Sequence, residues 1–545
     1  MLEGLCVRKA VERLRHKTSQ QRQLVNEMRE RADALTASGL AAARARRDPA
    51  AQKLQHQEPC FVEVASSSNL QRGFSPDCML SGVAIGVSDT LDVREFCTRY
   101  GTQSQLLQQM PQTEFPFVSW LRRHGAQFVG KLACRTPLTI DEASLIVSDN
   151  PAAVAVSRNA CNYAISSSLM GPAALTSPLH HPIASFKPTA QSFATFAEGY
   201  RLSVPSMSFG ITAGTLDDIF YLWEVFTSAI QPASFFDTQS GDTTDGNDGN
   251  AVTDSNKATG STKRRRPVPS PPNDSSANRY GYASVGRFKR SISDGYSSLR
   301  GSRPTSGEEE LIGPHIELSV GYPADWIDAL CHERLLSADE FRRRILRLVS
   351  TRNSMRKNEV LEVIPLTIDI DLEEVVQATQ TIGLYELSQA FDRLFFWNAH
   401  SDGRDPCLSS SSSTSGKAGV LEELPEELVS AIFNGRALTS LDYHRALRTR
   451  DSVVRATEEQ FRDVDFILTP MLSEPYVNSS MRSIALLLPF SLGGNPMVSL
   501  QLEPDFPVVL IGELGRDTGL FEDSTTFLQF VQGTSPGWWR RKFMR

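Results

Sequence analysis

One stretch of the sequence, from Met170 to Phe226, constrains the fold more than any other. Within it, a short apolar run typical of a β-strand, Ile183 to Phe186, leads into Lys187-Pro188-Thr189. After a polar loop, Thr215 precedes apolar residues at helical spacing between Ile219 and Val225, the pattern of a capped amphipathic helix. This order of strand, loop and helix predicts part of an α/β core.

Those residues resemble the amidase signature family, in which a Gly-Gly-Ser turn carries the nucleophile, an apolar strand ends in Lys-Pro-Thr, and a later helix begins with Thr-Val-Glu-Asp. In this chain Phe186 to Thr189 reads FKPT, and Thr215 to Asp218 reads TLDD. Phe461 to Pro470 (FRDVDFILTP) and Pro507 to Gly515 (PVVLIGELG) are similar to two later strands of the family. The C-terminal third is most similar to the A subunit of glutamyl-tRNA(Gln) amidotransferase.

The resemblance implies an α/β/α sandwich, in which helices cover both faces of a central mixed, twisted sheet. Alternating β-type and helical segments along the chain predict an α/β class independently. The segments expected from pattern and composition are an N-terminal helical segment (1–80), the first half of the core (81–236), a disordered insertion rich in Ser, Pro and Gly (237–310), the middle of the core (311–400), a Ser-rich loop (401–418), the C-terminal part of the core (419–530) and a basic, aromatic tail (531–545).

The strand-like run that begins at Gly82 bears on catalysis. In the family, this strand ends in Val-Lys-Asp and its lysine is the catalytic base. Aligned without gaps, Val87 and Asp89 match the pattern, and Ser88 stands where the lysine belongs. A desolvated lysine can relay protons near neutral pH, whereas a serine hydroxyl cannot do so unaided. The later Lys131, in a Val-Gly-Lys segment outside the family's catalytic set, is predicted to be structural or solvated.

The other two catalytic positions of the family are also altered. The glycine-rich loop that carries a bridging serine has no counterpart, since no glycine lies between Lys131 and Gly171. Counting from the two neighbouring motifs places the bridging serine at either Ile146 or Asp149. The nucleophile position falls at Ala173, which has no nucleophilic oxygen, and Pro172 before it has no N–H for an oxyanion.

Nearby hydroxyl groups could substitute for the missing nucleophile. The candidates are Ser148, Ser168 and Ser177, none of which lies in a Gly-x-Ser-x-Gly elbow. His180 and His181 form a pair without partners at metal-ligand spacing, which is more typical of a surface or core position. The eight cysteines are scattered without a CxxC pair, so free thiols in a reducing compartment are expected, and no metal or cofactor.

The tail combines aromatic and basic side chains, and two roles are compatible with it. Its residues Trp538, Trp539, Arg540, Arg541 and Lys542 could stack on bases and contact phosphates of tRNA or rRNA. The same residues could dock onto the chain's own domain or onto a partner protein. The net charge of −7 argues against broad adhesion to nucleic acid, and no apolar run is long enough to span a bilayer.

Two functional hypotheses follow. The first is a catalytically inactive amidase-fold protein, a pseudoenzyme kept as a structural or interaction subunit in a tRNA- or ribosome-associated assembly of an organelle. The second is an active amidohydrolase, or an A-type amidotransferase subunit that releases ammonia from glutamine, with a nonstandard nucleophile. Both imply an intracellular location. The basic N-terminal segment is more similar to the helix pair that precedes the core in this family than to an organelle-targeting leader. A leader would place the chain in the mitochondrion, and otherwise a cytoplasmic location is expected.

Overall fold

The computed structural model describes residues 6–45, 60–70, 78–102, 110–111, 113–134, 150–169, 173–190, 192, 204–230, 316–331, 336–351, 359–401, 424–472 and 484–532. Several sequence predictions lie outside these residues. They concern Ile146, Ser148 and Asp149, Pro172, the insertion 237–310, nearly all of the Ser-rich loop, and the tail from residue 533 onwards.

An 11-stranded mixed sheet runs through the described part of the chain, in the order β1-β3-β2-β4-β6-β5-β10-β11-β9-β7-β8. The strands are β1 (Phe61–Val64), β2 (Ala84–Ser88), β3 (Gln127–Leu132), β4 (Tyr163–Leu169), β5 (Ala184–Lys187), β6 (Met207–Ala213), β7 (Ile316–Pro323), β8 (Glu359–Leu366), β9 (Phe466–Pro470), β10 (Met497–Glu503) and β11 (Phe506–Ile511). Neighbours at the two ends of the sheet include parallel pairs, whereas the central strands from β4 to β9 pair antiparallel. The α/β class is therefore confirmed.

The helices of the described residues are α1 (Val7–Leu14), α2 (Thr18–Ala45), α3 (Ser67–Leu70), α4 (Pro116–Arg123), α5 (Pro151–Ser157), α6 (Leu216–Ile230), α7 (Ala324–Leu330), α8 (Ala338–Thr351), α9 (Leu372–Ser401), α10 (Glu426–Ala437), α11 (Ser440–Gln460), α12 (Leu488–Gly493) and α13 (Asp517–Gln532). A 3₁₀ helix, Ala173–Leu179, follows β4.

Helices cover both faces of the sheet at β5. Phe186 contacts Trp223 of α6 and Phe521 of α13, so these two helices lie on one face. Ser185 alternates with Phe186 and therefore faces the other side, where its hydroxyl lies 2.9 Å from that of Thr212 in β6. Ser177 of the 3₁₀ helix approaches the same Thr212, which places that helix on the second face.

The sequence located many of these elements. The run Ile183 to Phe186 lies at β5, and Thr215 caps α6 as predicted, since its hydroxyl accepts a hydrogen bond from the N–H of Asp218. Asn150 caps α5 in the same way, ahead of Pro151 at the first helical position. One element was not anticipated, because β1 lies within the segment expected to be helical; four residues are too few to show a β period.

Strand directions bring the positions of interest to one end of the sheet. β2 and β4 are parallel, β6 is antiparallel to β4, and β5 is antiparallel to β6. The carboxyl ends of β2, β4 and β5 therefore lie at the same end. Ser88, the start of the 3₁₀ helix and Lys187 all belong to this end, which we call the carboxyl end of the sheet.

Candidate functional site

Ser88 ends β2 as a buried residue within a chain of hydroxyl groups. The Thr90 hydroxyl donates a hydrogen bond to Ser88 Oγ at 3.0 Å and lies 2.6 Å from Ser167 Oγ. Because a threonine hydroxyl has a single hydrogen, Ser167 must donate to Thr90, and the order of donation runs from Ser167 through Thr90 to Ser88. All three residues are buried. Residue 88, where the family resemblance predicts a base, thus carries a neutral hydroxyl that accepts a hydrogen bond from Thr90.

A thiol adjoins this hydroxyl chain. Burial raises the pKa of the Cys134 thiol to about 12, and a hydrogen bond with Ser88 offsets part of this increase. A thiol in this state remains protonated at neutral pH and is a poor nucleophile.

Lys131 lies on β3, next to β2, and its side chain is fully buried. Its Nζ donates hydrogen bonds to the Leu91 carbonyl and, at 3.2 Å, to Thr98 Oγ1, and it lies 3.9 Å from Asp89 Oδ1. Burial lowers the pKa of Lys131 to about 8, although the negative charge of Asp89 acts to raise it. Of the two alternatives that the sequence left open for this residue, structural and solvated, burial excludes the second. The sequence did contain a signal for this burial, because the other residues of the strand segment FVGKL carry no polar side chain.

Lys131 does not stand in for a lysine at position 88. In the parallel pairing of β2 and β3 it is in register with Val87, so its side chain lies on the sheet face opposite to that of Ser88. Asp89, on the same face as Lys131, accepts hydrogen bonds from the N–H groups of Arg99 and Gly101. Burial raises the pKa of Asp89. Together, Asp89 and Lys131 hold the loop that follows β2.

Ala173, which the family resemblance predicts as the nucleophile position, begins the 3₁₀ helix. Among the serines proposed as substitutes, Ser177 is buried within this helix, with its Oγ 3.5 Å from Thr212 Oγ1. Its hydrogen-bond environment in the described part of the chain consists of hydroxyl groups, with neither a lysine nor a histidine bonded to it. Ser168 lies in β4, paired in register with Ser208 of β6.

The Lys-Pro-Thr segment ties three elements together. Lys187 is fully buried and donates a hydrogen bond to the Asn495 carbonyl at 3.0 Å, in the turn before β10. Thr189 donates through its N–H and its hydroxyl to the carboxylate of Asp517, which begins α13. Burial lowers the pKa of Lys187 to about 8, although the negative charge of Asp517 acts to raise it. This motif is therefore an anchor for β5, and the sequence alone did not show its partners.

A groove with a volume of about 470 Å³ opens at the opposite end of the sheet, where β5 begins and β6 and β10 end. Its walls include Ala184, Gly214 and Leu502. It therefore lies away from Ser88 and Ala173. The described residues contain no group of three or more His, Cys, Asp and Glu side chains suited to a metal ion. No helix in the described ranges is long and apolar enough to cross a bilayer, and the cysteines described are free thiols.

Comparison of this architecture with solved structures identifies its fold. A 6-aminohexanoate cyclic dimer hydrolase, in complex with its substrate, superposes with a TM-score of 0.58 at 12% identity, over 98% of each chain. The chain has the amidase-signature fold. A further amidase superposes with a TM-score of 0.52 at 17% identity, over 94% of this chain and 99% of its own.

A third similar structure is the A subunit of glutamyl-tRNA(Gln) amidotransferase from Thermotoga maritima. It superposes with a TM-score of 0.51 at 13% identity, over 98% of this chain and 96% of its own. No protein-family model and no curated protein sequence matches the chain. At these identities, the likeness establishes the fold and leaves the activity to be argued from the site.

Proposed function

We propose that this chain is an amidase-fold protein that does not hydrolyse amides and serves as a structural or interaction subunit of a larger assembly. The observation that carries the proposal is the state of position 88. There, a buried serine hydroxyl accepts a hydrogen bond from Thr90 where the family resemblance places a catalytic lysine. The pKa of a serine hydroxyl lies far from neutral, so the hydroxyl cannot by itself take a proton from a neighbouring nucleophile at neutral pH.

The identity of Ala173 supports the same proposal independently. An alanine offers no oxygen for an acyl intermediate, and Pro172 beside it has no N–H to stabilise an oxyanion. Loss of the base and loss of the nucleophile together remove both partners of the proton transfer that starts amide cleavage. A fold kept without this chemistry fits a role in which its surface, rather than its pocket, is used.

The alternative function is amide hydrolysis or glutamine amidotransfer through Ser148, Ser168 or Ser177. For Ser177 the geometry is unfavourable, since its only hydrogen bond among the described residues is to another hydroxyl group. A serine without a basic partner stays protonated and is a weak nucleophile. A direct chemical test of all three serines is therefore the appropriate experiment.

That test is labelling of the folded protein with a fluorophosphonate probe, followed by intact-mass measurement. We expect no adduct, while an active amidase-signature enzyme treated in parallel gains one probe per chain. Variants Ser148→Ala, Ser168→Ala and Ser177→Ala are labelled beside the wild type. One adduct per chain, lost in a single variant, would refute the proposal and identify the nucleophile.

The subunit role makes a separate prediction about size. The similarity to an amidotransferase A subunit suggests a tRNA- or ribosome-associated assembly as the one to examine first. We expect the tagged chain in a native cell extract to elute well above its own 60.2 kDa and to move to smaller size after nuclease treatment. Elution as a free 60.2 kDa chain would contradict the subunit role while leaving the absence of hydrolysis intact.

A further inference from the structure

The groove at the end of the sheet where β5 begins combines apolar walls with two carboxylates. Leu216, Leu502 and Leu528 contribute apolar side chains, and Asp217 and Glu503 line its rim. Its volume of about 470 Å³ is within the roughly 300–1,000 Å³ range of pockets that enclose ligand-sized groups. Apolar walls with acidic groups at the rim suit an occupant that is both aromatic and cationic.

Helix α13 runs towards this groove. Its first residue, Asp517, bonds to Thr189, just after the carboxyl end of β5. Near its other end, Thr525 and Leu528 line the groove beside the beginning of β5. The last residue of the helix, Gln532, follows Leu528 by about one turn, roughly 6 Å. The chain therefore leaves α13 beside the groove.

The residues that follow Gln532 are rich in the aromatic and basic side chains that would suit this groove. The segment 533–545 reads GTSPGWWRRKFMR, with three aromatic residues, four basic residues and no acidic residue. Trp538 is six residues beyond Gln532, a span of at most roughly 20 Å for an extended chain. The Gly and Pro residues before it favour a turn.

We propose that segment 533–545 folds back and occupies this groove of its own chain. Trp538 and Trp539 cover the apolar walls, and Arg540, Arg541 and Lys542 lie at the acidic rim. Buried aromatic side chains supply most of the contact energy in such sites, and the charges set the register. This inference concerns a different end of the sheet from Ser88 and does not depend on whether the chain is catalytic.

The charges at the rim are compatible with this arrangement. Glu503 lies 3.3 Å from Arg344, which stacks over the Phe506 ring, so part of its charge is already neutralised. Asp217, in the first turn of α6, is the second carboxylate that lines the groove. Because exposed ion pairs contribute modestly, removing the Asp217 charge is expected to weaken the contact only about two- to fivefold.

Photo-cross-linking within the full chain tests the proposal. With p-benzoylphenylalanine at position 539, irradiation and peptide mass spectrometry should give cross-links to groove residues, chiefly those around Leu502 and Leu528. The Leu528→Lys variant should reduce their yield at least tenfold, and Asp217→Asn about two- to fivefold. Leu441→Lys, a change at an exposed leucine of α11, is the matched control and should leave the yield unchanged.

Other outcomes would overturn the inference. Mixing isotopically heavy and light chains distinguishes cross-links within one chain from those between two, and a predominance of the latter would replace self-docking by dimer formation. Absence of groove cross-links, together with tail-dependent cross-linking to an added single-stranded RNA, would assign the tail to nucleic acid instead. Equal yields in wild type, Asp217→Asn and Leu528→Lys would show that the groove does not hold the tail.

Discussion

At the level of single residues, the buried lysines Lys131 and Lys187 are the most informative groups. Lysine is rarely enclosed by protein, because removing an ammonium from water is costly. Here the cost is reduced in two ways, by hydrogen bonds to backbone carbonyls and by a carboxylate in the surroundings, Asp89 or Asp517. Burial nevertheless dominates, and it lowers the pKa of each lysine to about 8.

Lys187 gives a prediction about pH. Between pH 8 and 10.5 its amine is largely neutral in the native state and protonated in the unfolded state, so the free energy of unfolding contributed by this group rises with pH. Since one pKa unit is worth about 1.4 kcal/mol, the wild type should gain about 3 kcal/mol over the Lys187→Met variant across this window. Urea unfolding at both pH values measures the difference.

The control for this prediction is Lys9→Met, which removes an exposed lysine of α1 and shows how much of the change comes from the loss of any lysine. A Lys187→Met difference that is equal at pH 8 and pH 10.5 would mean that Lys187 is solvated in the native state.

At the level of elements, a glycine sets the contact between α9 and α10. A Cβ atom added at Gly435 would lie 2.0 Å from the Leu384 carbonyl oxygen of α9. The backbones of the two helices therefore approach each other more closely than any other residue would allow.

Gly435→Ala is expected to destabilise the protein by roughly 1–3 kcal/mol, because the clash outweighs the better helix propensity of alanine. The same substitution at Gly519 in α13 meets only the flexible Arg516 side chain and should be neutral or stabilising by up to about 1 kcal/mol. Chemical denaturation of both variants checks the opposite signs. A stabilising Gly435→Ala would contradict the close contact.

The elements also show what the sequence could predict. Local signals were sufficient for β5 and for the Thr215 cap of α6, because spacing and capping residues act within a few positions. The strand order could not be obtained in this way. β5 pairs with β10, more than 300 residues later in the chain. The local sequence of either strand does not indicate which strand it pairs with.

The candidate site was predicted in part for the same reason. Motif spacing placed Ser88 at the end of a strand and gave Ala173 as the nucleophile position, and the structure brings both residues to one end of the sheet. Ser88 is linked to Ser167 through Thr90, and the bond between Thr90 and Ser167 joins residues 77 positions apart, so it depends on the pairing of β2 with β4. The burial of Lys131 likewise follows from tertiary packing.

At the level of the whole molecule, an aromatic cluster joins the two parts of the core that the insertion separates in sequence. Phe521 of α13 lies 4.6 Å from Phe186 and 6.5 Å from Trp223, measured between ring centroids. Phe186 and Trp223 precede the insertion, whereas Phe521 follows it. The pairing of β5 with β10 joins the same two parts through the backbone. The described residues before and after the insertion therefore share one sheet and one aromatic cluster.

This arrangement predicts the effect of removing one ring. Phe521→Ala should cost about 3–5 kcal/mol of unfolding free energy, the usual loss for a buried phenylalanine, and Phe433→Ala, at a ring that is 52% exposed, should cost much less. If the core is one cooperative unit, hydrogen exchange in Phe521→Ala should accelerate in β5 and β6 as much as in β10 and β11. Faster exchange confined to α13 would instead show that this helix docks onto an already stable core. In that case the two parts of the chain would be held together mainly by the β5–β10 pairing.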